Sequence, residues 1–427
     1  MKKATVLLVI VCLLACIGAG CTAKGGSGGS GGLRGNITYW SHNNQSFVRA
    51  TQEIIDKFVA ANPGVKINYQ NFPYDVTMNK MKTSYAAKDE ADIIQGFGAW
   101  MYTYMANGLL AEVPANGFNA GDFLPSAIDG YAYKGKYYGL PREVNVENGV
   151  VYYPEFVREI PKTFSELVAL GKSLTVFDGR NIARAGLDSF AGDGNMFYPF
   201  DWIVQQGGTY FKADGLHVNL TSPEAVRAFG IWVDINKPEN GLTDIRRLTA
   251  DEGIENLFFQ RRSFMAIKGP WVAAMGVDYD VDDFAYDAMP PAFGDVPTFV
   301  CEPGWGEVIS ARSKVSEAAW AFALFSVNKE NSMLFNKATG TIPARKDVVN
   351  DQSFINDPEN AKIKKAFPMM ANSIAIGPIV DSDLVKMVLD AQLRRAISGE
   401  VRLQDALKTA EDEINSSFDL IFAQING

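Results

Sequence analysis

Apolar residues recur at helical spacing through Phe47, Ile54, Ile55, Phe58 and Val59, and Asn62-Pro63-Gly64 closes that run. Ile37-Thr38-Tyr39-Trp40 before it predicts a short strand, and Val65, Ile67 and Tyr69 after it alternate like a second one. A helix is predicted from Asp75 to Ala87, a buried strand at Asp92-Ile93-Ile94, and a further helix running to Asn107 with Gly108 as its C′ residue. Such alternation predicts a layered α/β body. Further along, Thr163-Phe164-Ser165-Glu166 behind Pro161 reads as a capping box. Ser222-Pro223 predicts an N-cap followed by proline in the first turn, with Val226, Phe229, Trp232 and Val233 on one helical face. Ser316 is expected to cap a helix carrying Trp320, Phe322, Leu324 and Phe325, and Leu384–Ile397 and Leu403–Ile414 are expected to form paired terminal helices. No short internal repeat breaks this pattern.

One stretch is apolar on every side. Ala4 to Ala19 lies between Lys2-Lys3 and Cys21, too short and wrongly flanked for a membrane-spanning helix. The order Leu14-Ala15-Cys16-Ile17-Gly18-Ala19-Gly20-Cys21 resembles a bacterial lipobox. Residues 1–20 are then a lipoprotein signal peptide, and Cys21 the lipidated first residue of the mature chain. More than one acyl chain holds a protein stably on a bilayer. A plain secretory signal with an incidental cysteine is the competing reading. Residues 21–35, with Gly25 to Gly32 at their centre, read as a flexible Gly/Ser tether. That run also fits G-x-S-x-G, but no strand precedes it and no helix follows, so it is no nucleophile elbow.

Composition narrows the picture. A chain of 427 residues, 47% apolar and 21% charged, is globular, with two or three domains as the prior. A net charge of −9, which becomes −11 once Lys2 and Lys3 are removed, argues against nucleic acid as a partner. Four cysteines exclude a disulfide scaffold, and after cleavage only Cys301 remains within the folded body. Two histidines leave little for a His-based triad, and no H-E-x-x-H, C-x-x-C or P-loop occurs. Asp278-Tyr279-Asp280-Val281-Asp282-Asp283 imitates an EF-hand loop, but Asp283 stands where glycine is needed and Met289 where glutamate is. No metal or cofactor is therefore expected. Aromatics at 12% are the surplus that needs explaining.

Several segments, taken in order, resemble the family 1 extracellular solute-binding proteins of bacterial ABC importers, the maltose-binding class. They are Glu53-Ile54-Ile55-Asp56-Lys57-Phe58 through Asn62-Pro63-Gly64-Val65-Lys66-Ile67, and Ala91-Asp92-Ile93-Ile94 through Gly108-Leu109-Leu110-Ala111-Glu112-Val113. Tyr137-Tyr138-Gly139-Leu140-Pro141, Pro161-Lys162-Thr163-Phe164-Ser165-Glu166-Leu167, Met265 to Gly269-Pro270-Trp271, Ser313-Lys314 to Trp320, and Gly340-Thr341-Ile342-Pro343-Ala344-Arg345 complete the set. One stretch departs: Tyr152-Tyr153-Pro154-Glu155 stands where the family often has YN-x-D. The resemblance implies a two-lobed α/β, periplasmic-binding-protein-like fold with several crossover strands, whose lobes close on a ligand by hinge motion. It implies lobe one at 36–140 plus 300–341 and lobe two at 142–290 plus 345–427. It further implies a monomer that captures a sugar or oligosaccharide outside the cytoplasm and passes it to the membrane permease of an ABC transporter.

A sugar offers a C–H face that packs on an aromatic ring and a rim of hydroxyls that needs a few fixed polar partners. Five tryptophans stand where a site of that kind requires them. Trp40 ends the first strand, Trp100 follows the strand at Asp92, Trp202 follows Asp201, Trp271 follows Gly269-Pro270, and Trp305 follows Pro303-Gly304. By resemblance His42, Asn43 and Phe97 fall on lobe-one cleft loops, and Trp271 on the family's stacking tryptophan. Arg142, Glu143 and Asn145 fall at the hinge. Core packing is the competing reading for each tryptophan and the expected one for Trp232 and Trp320. Asp92 is expected to be structural, and Arg345 to brace the third crossover. A phosphodiester or peptide ligand in the same fold is an alternative that Arg142 and Arg345 keep open; a carbohydrate-active enzyme is a third.

Overall fold

The computed structural model describes residues 32–42, 44–146, 149–179, 181–188, 198–237, 257–376 and 379–426. The chain divides into a leading unit, Met1–Gly32, and a body, Leu33–Gly427. The signal peptide, Cys21 and nearly all of the Gly/Ser tether lie outside the described residues, as does Asn43.

Three sheets organise the body. The first has the order β2-β1-β3-β14-β6, from β1 (Gly35–Ser41), β2 (Val65–Asn71), β3 (Ile93–Phe97), β6 (Gly139–Pro141) and β14 (Trp305–Ile309). Strands β1, β2 and β3 are parallel, and β14 runs against both β3 and β6. Strand β3 is buried along its whole length, which explains its unbroken Ile-Ile run. The second sheet, β12-β8-β11-β10-β9, uses β8 (Gly149–Tyr152), β9 (Val176–Asp178), β10 (Asn181–Asp188), β11 (Ser263–Lys268) and β12 (Ala285–Ala288). The third joins them: β15-β7-β13-β16, from β7 (Glu143–Val146), β13 (Phe299–Pro303), β15 (Ile342–Pro343) and β16 (Ser373–Ala375). Here β7 continues from β6, and β13 runs on into β14, so the chain passes between the outer sheets through this junction. A small ribbon, β4 (Ala132–Tyr133) with β5 (Lys136–Tyr137), stands apart.

Helices cover these sheets. On the first side are α1 (Gln45–Ala61), α2 (Tyr74–Ala87), α3 (Tyr102–Ala106) and α4 (Pro125–Ile128). The second sheet carries α5 (Phe164–Leu174), α6 (Tyr198–Gln205), α7 (Pro223–Ile235) and α8 (Val272–Asp278). After β14 come α9 (Ser316–Ser326), α10 (Lys329–Thr339), α11 (Lys346–Val349), α12 (Gln352–Ile355), α13 (Ser382–Ile397) and α14 (Leu403–Asn426). The capping box forms as its sequence predicts: the Glu166 amide donates to Thr163 Oγ1 at 3.3 Å and the Thr163 amide to Glu166 Oε2 at 3.1 Å. Ser222 caps α7 by accepting from the Ala225 amide at 3.1 Å, and Gly108 takes a positive φ just past α3. Two expectations fail. Ser316 is the first residue of α9 and makes no cap, and the last helix runs to Asn426, well beyond Ile414. Its continuation is legible only in three dimensions, where Leu407, Ala410, Ile414 and Phe418 meet the second core.

Two large cores result. One lies between the first sheet, the junction, α1, α9 and α10, and holds Tyr39, Ile54, Phe58, Trp320 and Phe322. The other packs α5, α6, α7, α13 and α14 around Phe229, Trp232 and Leu389. Trp232 and Trp320 are core residues, as their helical spacing predicts. Gly186 of β10 allows the closest approach: a Cβ there would lie 1.7 Å from the Gly171 carbonyl oxygen of α5.

Candidate functional site

Because β14 runs against β3, its first residue lies where β3 ends, and Trp305 pairs with Phe97. His42 follows β1 at the same edge, and Trp100 closes the single 3₁₀ turn Gly98–Trp100 after β3. Four rings from three separate chain segments therefore gather at the carboxyl ends of parallel strands, the usual place for a ligand in an open α/β sheet. His42 packs on Trp305 with ring centroids 3.8 Å apart, Phe97 lies 5.0 Å from Trp305 and 4.8 Å from Trp100, and Trp100 meets Trp305 edge-on at 5.4 Å. Phe97 is buried behind the others, which keep partial exposure. The His42 Nδ1 atom is itself buried, and this desolvation pulls the imidazole down to about 3, so the ring is neutral at physiological pH.

Beneath this wall lies a polar floor. Directly opposed residues of an antiparallel pair share a face, and β7 and β13 place Asn145 opposite Glu302, with Asn145 Nδ2 donating to Glu302 Oε2 at 3.4 Å. Glu143, two residues before Asn145, falls on that same face. Burial raises its carboxyl to about 7, opposed by the Thr341 hydroxyl, the Trp305 main chain and the Arg142 charge. The other face of these strands, Val144, Val146 and Cys301, is apolar core. There burial pushes the Cys301 thiol up to about 12, with Asp201 and Glu302 pushing the same way.

The second lobe contributes Asp201 from α6. It is fully buried, and burial lifts its carboxyl well above the usual range; Val300 of β13 offers its main chain, but neither carboxyl oxygen completes a hydrogen bond. Tyr210, buried against Phe200 with centroids 3.7 Å apart, likewise has an unpaired hydroxyl, and both burial and nearby Glu302 raise its pKa. Sequence reasoning overlooked Tyr210 and Glu302. Glu302 had a signal, since it immediately precedes Pro303-Gly304-Trp305; Tyr210 had none.

Three expected site residues fall elsewhere. Arg142 is 3% exposed and ion-pairs with Glu307 at 3.4 Å, donates to Thr51 Oγ1 at 3.2 Å and lies 3.7 Å over the Phe335 ring. It is a hinge residue whose side chain braces lobe one, because neighbouring strand positions point to opposite faces and Glu143 takes the face of Asn145 and Glu302. Trp202 is completely buried against Phe164, centroids 4.8 Å apart, because its helix turns that face into the second core and Asp201 the other way. Trp40 packs under Lys80, whose Nζ lies 3.8 Å from the ring centroid, and edge-on against Phe72 instead of joining the four rings. Trp271 stays apart from the four rings. It is half-buried at the start of α8, where Gly269 makes room: a Cβ there would lie 1.8 Å from Trp271 Cζ3. Asp92 is structural, accepting from the Thr38 amide and hydroxyl and from Ser313 Oγ. Arg345 braces the third crossover through Asp347 and Asp122.

Two α/β lobes joined through a shared sheet, with four rings at the strand ends of the first and buried carboxyls along the sheet that joins them, are the architecture of a two-lobed binding protein. Residues 53–362 match the family described as bacterial extracellular solute-binding protein, and the chain belongs to it. Among its relatives, a maltotriose-binding protein of Pyrococcus abyssi is 24% identical over 343 residues, spanning 76% of this chain and 70% of that one. A maltooligosaccharide ABC transporter solute-binding lipoprotein of Streptococcus pneumoniae strain R6 is 24% identical over 425 residues, spanning 96% and 94%. The fold matches the maltose/maltodextrin-binding domain of Bdellovibrio bacteriovorus solved with maltotriose, at a TM-score of 0.75 and 20% identity, over 90% of this chain and all of that one. It also matches an ABC transporter solute-binding protein of Thermotoga lettingae bound to α-D-tagatose, at 0.77 and 21% identity over 90% and 99%.

Proposed function

We propose that this protein captures a neutral sugar or oligosaccharide outside the cytoplasm, closes its lobes over it, and delivers it to the permease of an ABC transporter. The observation that carries this reading is the four-ring wall of His42, Phe97, Trp100 and Trp305 standing over buried carboxyl and amide groups. Rings take the C–H faces of a pyranose, while Glu143, Asn145, Asp201, Glu302 and Tyr210 take its hydroxyls. Trp271, at the start of α8, supplies a second stacking face from lobe two. Both arginines that would favour an anionic ligand have carboxylate partners of their own, Arg142 in Glu307 and Arg345 in Asp347 and Asp122. Support also comes from relatives whose names record maltotriose and maltooligosaccharides. The lobes of this reading are 36–140 plus 300–341 and 142–290 plus 345–427. Diacylated Cys21 anchors the monomer to the membrane through the Gly/Ser tether, and the protein binds its ligand without transforming it. No helix among the described residues is long and apolar enough to cross a membrane.

A thermal-shift and calorimetric panel tests the reading. Maltotriose, mannotriose, tagatose, a glycerophosphodiester and short peptides are offered in turn, since binding the native state raises its apparent stability by mass action. A response to a sugar supports the proposal. A response confined to the phosphodiester or a peptide refutes it, and conversion of a bound sugar on incubation would make the protein an enzyme.

A further inference from the structure

Helix α1 begins with its cap unfilled by its own residues. Asn44 stands at the N-cap position but makes no capping hydrogen bond, and the first turn carries no acid. The first amides of a helix have no partner inside it. Here the partner comes from the other lobe: Asp278 accepts from the Ser46 amide at 3.3 Å and from Ser46 Oγ at 2.8 Å. Arg49 Nη2 reaches the same carboxylate at 3.3 Å. Helix α1 connects β1 to β2 of the first sheet, whereas Asp278 ends α8, which connects β11 to β12 of the second. The carboxylate therefore bridges the lobes.

Nothing local asks for an acid at that position. A negative charge at the carboxyl end of α8 is opposed by that helix's dipole, and the same charge at the amino end of α1 is favoured. Exposure decides which contact matters. Ser46 is buried and the Asp278 side chain is 12% exposed, but Arg49 is 61% exposed, so the serine bonds dominate. The lobe-bridging pair Lys82–Asp383 is 53% and 41% exposed and adds little. The bridge also sits beside the site: His42, packed on Trp305, precedes α1 by three residues, and Trp271 immediately precedes α8.

We propose that Asp278 is a positioning residue for ligand capture, completing the N-cap of α1 across the cleft and so holding the His42 side of the aromatic wall in its closed arrangement. This rests on the cleft-closure reading above. Asp278 touches no ligand; a contact made only in the closed form multiplies the closed population, and with it the apparent affinity, by one factor.

The test uses the full chain, solubilised, as wild type, Asp278→Ala, Asp278→Asn and Ser46→Ala, with maltotriose as the first probe and any other sugar that the panel identifies. Asp278→Ala should weaken binding about five- to tenfold, mostly through faster dissociation, the effect expected for a lost helix cap. Asp278→Asn, whose amide oxygen still accepts from Ser46, should return to within about twofold of wild type, and Ser46→Ala should fall between. Ligand-bound melting should drop by more than ligand-free melting. Wild-type affinity in Asp278→Ala, or equal drops in both melting temperatures, overturns the proposal. Should the wild type bind no sugar, the carbohydrate reading fails alone, and amide exchange at residues 45–48 of the ligand-free chain decides the cap. Exchange at least about twofold faster in Asp278→Ala supports it, and equal rates overturn it.

Discussion

Glu143 gives the site a pH signature that can be read without any ligand. Its carboxyl is raised from 4.5 to about 7 because burial disfavours the charge more than the Thr341 hydroxyl, the Trp305 main chain and the Arg142 charge restore it. The folded state therefore holds this proton at pH values where the unfolded chain has released it. Stability due to this group is highest below the unfolded value and falls as pH rises toward the folded one. Between about pH 5 and about pH 8 the loss amounts to about 2.5 kcal/mol. Glu143→Gln removes the proton equilibrium while keeping shape and one acceptor oxygen. Asp201, also raised by burial, is present in both proteins and cancels from their difference. Urea unfolding of wild type and Glu143→Gln across that pH range reads the effect directly. The variant should gain relative stability with rising pH by about the amount given, with most of the change below about pH 7. Parallel curves for the two proteins would refute the claim that Glu143 is held protonated by burial.

Other expectations follow from the same geometry. Trp305→Ala should weaken sugar binding more than tenfold, about 1.4 kcal/mol, in calorimetry on folded protein, and unchanged affinity would remove Trp305 from the wall. Trp202→Ala should lower stability by about 3–5 kcal/mol through a cavity in the second core, measured by urea unfolding, while surviving folded protein keeps its sugar affinity within about twofold. Arg142→Ala leaves Glu307 buried without its ion pair and should destabilise by about 3–5 kcal/mol, with loss of the variant's cooperative melt at moderate temperature as the visible outcome.

Much of the architecture is legible from local chemistry. The strand at Ile37, the helix stopped by Asn62-Pro63-Gly64, the capping box at Thr163 and the Ser222-Pro223 start each depend on neighbours within a few residues, and each forms where its pattern says. Core tryptophans at helical spacing are legible for the same reason, since one helix face alone decides their burial. The full length of α14 is not, because its final turns are recruited by contacts with the second core and carry no stop signal before Asn426.

The site divides along the same line. By itself the sequence determines which residue types are available: tryptophans after glycine or at strand ends, and carboxyls beside the hinge. Which of them meet is decided by pairing between segments 157 residues apart for Asn145 and Glu302 and farther still for Phe97 and Trp305. Antiparallel β14 brings Trp305 to Phe97, and the β7–β13 register brings Glu302 to Asn145. Strand alternation then sends Glu143 to the face of Asn145 and Glu302 and Arg142 to an internal ion pair, although the two are adjacent in the chain. Helix rotation does the same to Asp201 and Trp202. One residue's shift reverses the face of a strand or turns a helical side chain by roughly 100°. The tertiary contacts that fix that phase lie outside any local window, so they alone could separate ring wall from core.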